Sequence, residues 1–288
     1  MSDKAPVRVV ITGASSGIGL AAATALATGG AAVTMVGHDR AKSESALAQV
    51  SEQAPDAAVD LLLADLSSQA EVARLAALLL DRARAGERID VLVNNAGAIF
   101  AHRRLTADGI EATWALNHLA PFLLTNLLAD HLKQHPPARI ITTSSDAHRR
   151  ERLPFDDLNA ERRYRGFRRY GQTKLANIAF TFELARRVEG SRVTANCFNP
   201  GLVATGFNRN NGRRATWMMN MVKPLSSNPE KGADTLVWLA TSLEAAAENG
   251  GYFFDRKRAV PNAEAQDPQA WQRLWEVSRT QTGLGLPT

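Results

Sequence analysis

One cysteine, Cys197, stands in a chain of 288 residues, so no internal disulfide staples the fold and a reducing compartment is the expected setting. It falls within Val193-Thr194-Ala195-Asn196-Cys197-Phe198 and reads as a buried strand thiol. No charge-free apolar stretch approaches the roughly 18 residues of a membrane-spanning helix. No signal-peptide pattern precedes the apolar run that begins at Val7. A cytoplasmic protein without a membrane anchor is expected. Six histidines form no metal pattern, because His131 and His135 share helical spacing without a second ligand pair nearby, and no metal is assigned. Aromatic residues make up 6%, and the tyrosines are three: Tyr164, Tyr170 and Tyr252. Any phenol chemistry must come from one of them.

Hydrophobic residues reach 45%, enough for a large core, and apolar runs alternate regularly with helical patterns. Val7 to Ile11 is followed by Thr12-Gly13-Ala14-Ser15-Ser16-Gly17-Ile18-Gly19 and then a helix-like stretch from Leu20 to Thr28. Strand, glycine turn and helix in that order aim free helix amides at a pyrophosphate. Gly13, Ser15, Ser16, Gly17, Ile18 and Gly19 are the candidate contacts. Their Gly-x-x-x-Gly-x-Gly spacing departs from the commoner Gly-x-Gly-x-x-Gly, so the turn alone is equally an ordinary one.

The end of the second predicted strand, Ala32 to Val36, is where a dinucleotide fold reads the adenosine ribose. Gly37 stands where an acid would clasp a free 2'-hydroxyl, and His38 and Arg40 can meet a 2'-phosphate, which favours NADP, with NAD as the alternative. Asp39 and Arg40 serve equally as a helix start. Val59 to Leu63 precedes Asp65-Leu66 and a helical stretch from Gln69 to Arg84. Asp65 can accept from an adenine amino group or cap that helix. Ile89 to Val93 then leads into Asn94-Asn95-Ala96-Gly97.

Tyr170 and Lys174, in Tyr-Gly-Gln-Thr-Lys, stack a phenol and an ammonium on one helical face. A phenol titrates near ~10, and a nearby cation favours phenolate, so Lys174 is expected to lower Tyr170 toward the range where acid and base catalysis is effective. Tyr164 repeats the spacing with Arg168 in place of a compact ammonium. Tyr252 reads as core packing in the last strand.

In type and order these motifs resemble the short-chain dehydrogenase/reductase family. The likeness takes in the turn at Thr12 to Gly19, Asp65-Leu66 at the adenine, Asn95, Ala96 and Gly97 after the fourth strand, and Asn117 within a helical run from Ile110 to His131. It continues through Ser144-Ser145 after the strand Arg139 to Thr143, Tyr170 to Lys174, and Pro200-Gly201 with Val203 and Thr205 on the nicotinamide side. It implies a catalytic set of Asn117, Ser145, Tyr170 and Lys174. Ser145 would bond the substrate oxygen, Tyr170 exchange its proton, Lys174 hold the nicotinamide ribose, and Asn117 link Lys174 to solvent through water. Ser144 is the alternative serine. Asn117 to Leu128, Lys174-Leu175-Ala176-Asn177 and Arg273 to Ser278 are similar to the retinol dehydrogenase-like branch. Members of that branch acting on retinoids commonly carry an N-terminal anchor, whereas the first strand here begins near residue 7, which points away from retinoids.

The expected architecture is α/β: a single Rossmann-type, doubly wound domain over 1–288, with a seven-stranded parallel sheet in the order 3-2-1-4-5-6-7 flanked by helices. Residues 6–205 form the nucleotide-binding and catalytic core. Residues 206–228, with Phe207, Trp217, Met218, Met219 and Met221, form a substrate lid. The tail 262–288, with Trp271 and Trp275, closes the pocket or makes subunit contacts.

The net charge of +5 is concentrated in Arg149, Arg150, Arg152, Arg162, Arg163, Arg165, Arg168 and Arg169, between Ser145 and Tyr170. Such a segment attracts an anionic substrate or an acidic carrier protein, or is a solvated loop partnered by Asp156, Asp157 and Glu161. No nucleic-acid-binding module accompanies the charge. The expected activity is NADP(H)-dependent interconversion of a bulky ketone or aldehyde and its alcohol, by a homodimer or homotetramer. A carrier-protein-dependent ketoreductase and a non-catalytic cofactor-binding sensor or scaffold are the rival expectations.

Overall fold

The computed structural model describes residues 5–201 and 228–285; the expected lid, Val203 and Thr205 lie outside them. The strands are β1 (Arg8–Thr12), β2 (Ala32–Gly37), β3 (Val59–Leu63), β4 (Val91–Asn94), β5 (Ala138–Thr143), β6 (Val193–Asn199), β7 (Tyr252–Phe254) and β8 (Lys257–Arg258). They form one sheet in the order β3-β2-β1-β4-β5-β6-β7-β8. The expected order of seven parallel strands holds, and β8 adds a short antiparallel edge through Phe253 opposite Arg258.

Helices α1 (Gly17–Thr28), α2 (Arg40–Gln53) and α7 (Pro229–Thr241) bury Ala22, Ala23, Leu26, Leu236 and Leu239 with one sheet face. Helices α3 (Gln69–Arg84), α5 (Ala120–Gln134) and α6 (Gly166–Arg187) bury Leu75, Leu79, Phe122, Leu128 and Leu184 with the other. Covered on both faces, the central strands read as unbroken apolar runs, as Val9-Val10-Ile11 and Val91-Leu92-Val93 do. The order reverses between β1 and β4, and the carboxyl ends around that crevice are where a doubly wound sheet takes a ligand.

Two elements differ from the sequence reading. The run from Ile110 to His131 is not one continuous helix. It divides into α4 (Ala112–Trp114), a π turn (Ala115–Leu119) and α5. Pro121 has no N–H to give the carbonyl four residues back, that of Asn117, and Ala120 N bonds Ala115 O in the wider pattern. In the tail, α8 (Pro268–Gln281) lays Trp275 against Phe122 and Phe180, with ring centres 5.0 and 5.9 Å apart. Trp271 meets Phe182 edge-on at 5.4 Å. Both tryptophans are packing residues, and truncating one as buried as Trp275 costs about 3–5 kcal/mol.

Candidate active site

At the carboxyl end of β1 the backbone turns through Gly13 at φ +69°, a conformation that favours glycine. A Cβ on Gly13 would stand 2.7 Å from Ala96 Cα, and one on Gly19 would stand 2.3 Å from Gly13 O. The turn therefore lies bare backbone against the start of α1. Ser16, the N-cap of α1, makes no side-chain cap, which leaves the first helix amides for an anion. Thr12 and Asn95 hold the cradle shut. Thr12 Oγ1 accepts from Asn95 N at 3.0 Å and Ala96 N at 3.1 Å, and Asn95 Nδ2 donates to Thr12 O at 3.0 Å. Asn95 thus acts on the cradle through its side chain.

The end of the second strand faces the ribose end of the cradle. A Cβ at Gly37 would fall 2.1 Å from Ser43 Oγ, so any larger residue there would have to displace the Ser43 side chain. Asp39 accepts from Lys42 N at 2.9 Å as the N-cap of α2. His38 and Arg40 are exposed, and Arg40 pairs with Glu44 at 3.1 Å. Sequence reasoning missed Lys42, whose Nζ reaches Ser16 Oγ at 3.1 Å; a base three residues past the Asp39 cap was the available signal. Asp65 Oδ1 is occupied by Ser67 N and Oγ, at 2.9 and 2.8 Å, while Leu66 is buried. These donors and the bare cradle fit a dinucleotide.

The four catalytic candidates meet beyond β4 and β5. Gly97 marks the convergence: a Cβ there would lie 3.2 Å from Asn117 Oδ1 and 3.6 Å from Lys174 Nζ. Asn117, on the π turn and fully buried, accepts from Ala98 N at 2.8 Å and donates to Ala98 O at 2.9 Å and Thr173 Oγ1 at 3.1 Å. Lys174, 2% exposed, donates to Thr143 O at 2.9 Å. Ser145 Oγ bonds the side chain of Tyr170 and accepts from Ala147 N at 3.3 Å. Pro200 and Gly201 close the far side at the end of β6, with Gly201 N donating to Asn199 Oδ1 at 3.0 Å.

The tuning runs against expectation. Burial pushes the Tyr170 phenol up to about 12, partly offset by the Ser145 hydrogen bond. Burial likewise pulls the Lys174 ammonium down to about 7. Lys174 Nζ stands 5.4 Å from the Tyr170 ring centre. In the chain without its cofactor, desolvation is the largest cause of both shifts. Tyr164 is structural: its hydroxyl donates to Phe100 O at 2.8 Å.

A buried ion pair steadies both catalytic helices. Glu111 caps α4 by accepting from Thr113 N at 2.8 Å and Trp114 N at 3.0 Å, and it receives Arg169 Nε at 2.7 Å. Arg169 also donates to Leu158 O and lies over the Trp114 ring. The arginine segment is thus partly internal. Arg149 pairs with Asp146, Arg162 with Asp156 and Arg168 with Glu151. Arg162, Arg163, Arg165, Arg168 and Arg169 line a cavity of about 190 Å³. Helical phase places its α6 residues, 168, 169 and 172, opposite Tyr170 and Lys174.

The family described as short chain dehydrogenase matches residues 7–216. The chain belongs to the short-chain dehydrogenase family. Human retinol dehydrogenase 13 is 37% identical to it over 286 residues, 97% of this chain and 86% of that protein. A Streptomyces sp. (strain C5) protein provisionally named daunorubicin C-13 ketoreductase DnrU is 40% identical over 276 residues, 96% and 92% of the two chains. The crystal structure of a short chain dehydrogenase from Burkholderia cenocepacia in complex with NADP superposes with a TM-score of 0.67 at 26% identity, covering 91% of this chain and 98% of that one. This short-chain dehydrogenase is accordingly an oxidoreductase of the alcohol and carbonyl pair. Its retinol dehydrogenase-like character follows from near full-length likeness to several members of that branch.

Proposed function

We propose that this short-chain dehydrogenase interconverts a bulky, largely apolar ketone or aldehyde and its alcohol with NADP(H). The observation that carries the cofactor choice is at Gly37 and Asp39: an acid at the first would have to displace Ser43, and the second is spent as a helix cap. Lys42, beside Ser16, and exposed His38 and Arg40 offer hydrogen-bond donors to a 2'-phosphate. Ser15 and Ile18 complete the proposed cradle with the glycines. The NADP-bound Burkholderia structure supports the same choice.

The substrate reading rests on Phe167, 69% exposed with its ring 6.5 Å from that of Tyr170, and on exposed Phe254 at the carboxyl end of β7. Apolar surface beside the reacting phenol suits a polycyclic or otherwise bulky carbonyl compound, and the Streptomyces relative is named a daunorubicin C-13 ketoreductase. When bound, the nicotinamide supplies or accepts the hydride. In the reducing direction Ser145 donates to the substrate oxygen, and Tyr170, kept protonated by its burial, gives its proton to the developing alkoxide. Lys174, fixed on Thr143 O, holds the nicotinamide ribose. A cytoplasmic setting and a homodimer or homotetramer belong to the same proposal, supported by the single cysteine and by the family resemblance.

Titration of the purified protein with NADPH and NADH, followed by nucleotide oxidation with polycyclic ketones, small ketones and retinal, tests this reading. Preferential NADPH binding and turnover of the polycyclic ketones are expected. Binding of neither nucleotide would overturn the enzyme reading and favour the sensor or scaffold. A second reading, docking of an acidic carrier protein, has the arginine-lined cavity in its favour. Under it, charge reversal at Arg162 and Arg163 abolishes activity on a carrier-bound substrate and spares the free one; equal activity on both sinks it.

A further inference from the structure

Two fully enclosed atoms, His118 Nδ1 and Asn177 Oδ1, have no hydrogen-bond partner among the described residues, although the two side chains lie close enough for Asn177 to act on the ring. His118 follows Asn117 on the π turn and is 0% exposed, and Asn177 is 2% exposed, one turn after Lys174 on α6. Leaving both atoms unpaired is unfavourable for polar groups shut away from water. The placement of a single proton removes both costs.

The other ring nitrogen, His118 Nε2, lies 2.8 Å from Ser278 Oγ on α8. With the proton on Nε2, Nδ1 would present a lone pair to Asn177 Oδ1, acceptor against acceptor. With the proton on Nδ1, His118 donates to Asn177 Oδ1 and accepts the Ser278 hydroxyl proton at Nε2. Ser278 then turns that proton away from Leu274 O, to which it stands at 2.7 Å and which keeps its own helical bond. Flipping the Asn177 amide offers no escape. It would turn Oδ1 toward Thr143 O, which Nδ2 now approaches at 3.3 Å. Thr143 O is the same carbonyl that receives Lys174 Nζ at 2.9 Å.

We infer that His118, protonated at Nδ1, and Asn177 are positioning residues, and that they join the C-terminal helix α8 to the carbonyl anchor of the catalytic lysine. Every bond in the chain then points one way: Ser278 hydroxyl to His118 Nε2, His118 Nδ1 to Asn177 Oδ1, and Asn177 Nδ2 to Thr143 O beside Lys174 Nζ. Burial holds the His118 imidazolium down to about 3, so the ring stays neutral and one tautomer can persist. Trp114 at 4.6 Å and Phe122 and Phe180 at 6.4 Å wall the ring in, leaving it no route to substrate. The inference rests on the proposed oxidoreductase reading for its effect on turnover, and on geometry alone for the tautomer.

The test has two arms. Nitrogen NMR of ¹⁵N-histidine-labelled protein loaded with NADPH, with the His118 signals assigned from their loss in His118→Asn, reads the tautomer directly. Nδ1-bound hydrogen is expected, and Nε2-bound hydrogen would overturn the inference whatever the protein catalyses. In the kinetic arm His118→Asn keeps an N–H near the place of Nδ1, whereas His118→Gln moves it toward that of Nε2. Misplacing the lysine anchor in His118→Gln and Asn177→Leu should lower kcat about tenfold or more, with KM for NADPH within about twofold, and His118→Asn should restore most of that loss. Equal loss in the two histidine variants, or a fall in Tm with kcat intact, would overturn the positioning role. If the wild-type protein turns over no carbonyl compound, the functional reading fails and the NMR arm still decides the tautomer.

Discussion

Ser144 Oγ donates to the backbone carbonyl of Lys174 at 2.9 Å, which locks one of two adjacent serines into the scaffold, while the other faces Tyr170. Ser144 is fully buried; Ser145 caps the 3-10 turn Asp146–Arg150 and meets the Tyr170 side chain. Ser145→Ala should lower kcat by about 10²–10³-fold, as removal of a preorganised donor does elsewhere. Ser144→Ala should instead cost about 1–3 kcal/mol of stability, because a buried carbonyl loses a partner. Steady-state kinetics and denaturant unfolding of both variants separate the roles, and the reverse pattern would move the catalytic assignment to Ser144.

Lys174 should make stability depend on pH. Its ammonium titrates at about 7 in the folded protein against an ordinary 10.5, so the unfolded chain holds more protons between those values. The burial penalty is fully present below about pH 7 and is relieved as pH rises toward 10.5, so this group makes stability increase by up to about 1.4 kcal/mol per pH unit within that window. Tyr170, shifted the other way from 10.0 to about 12, contributes stability that is fully present below pH 10 and lost as pH climbs through 12. Cofactor-free wild type and Lys174→Met, unfolded in urea at pH 6.5 and 9, should therefore differ in pH slope. Parallel behaviour would show that the lysine is not desolvated.

At the ribose end, Lys42→Glu should raise the Kd for NADPH by about tenfold, the worth of one charged hydrogen bond, and leave NADH nearly unchanged. Fluorescence titration with both nucleotides checks it. An equal loss for the two would place Lys42 at the pyrophosphate, which they share.

Glu111→Gln leaves the Arg169 guanidinium buried beside a neutral amide. Breaking a pair as enclosed as this one, at 0% and 1% side-chain exposure, costs about 3–5 kcal/mol, readable as a fall in the urea midpoint. Loss of activity should accompany it, since Glu111 caps the helix that leads into Asn117 and Arg169 adjoins Tyr170. A variant as stable as wild type would mean that the loop 151–165 is held by other contacts.

Much of this was legible along the chain because it is local. Apolar runs repeat at strand spacing, Gly13 to Gly19 sits between a strand and a helix, and Tyr170 lies one helical turn from Lys174; each is decided by neighbours in sequence. From these came the strand order, the cradle and the phenol with its lysine. What the chain could not show depends on groups brought in from far away. The resemblance already favoured Ser145 over Ser144, but the bond that holds Ser144 goes to a carbonyl thirty residues distant. The crowding at Gly37 rests on Ser43 folding back beneath it. Arg169 is a loop arginine in sequence and a core residue in space, because Glu111 arrives from another helix. The upward push on Tyr170 was out of reach for the same reason: spacing reveals the cation beside it, whereas desolvation is set by everything packed around the group in the folded chain.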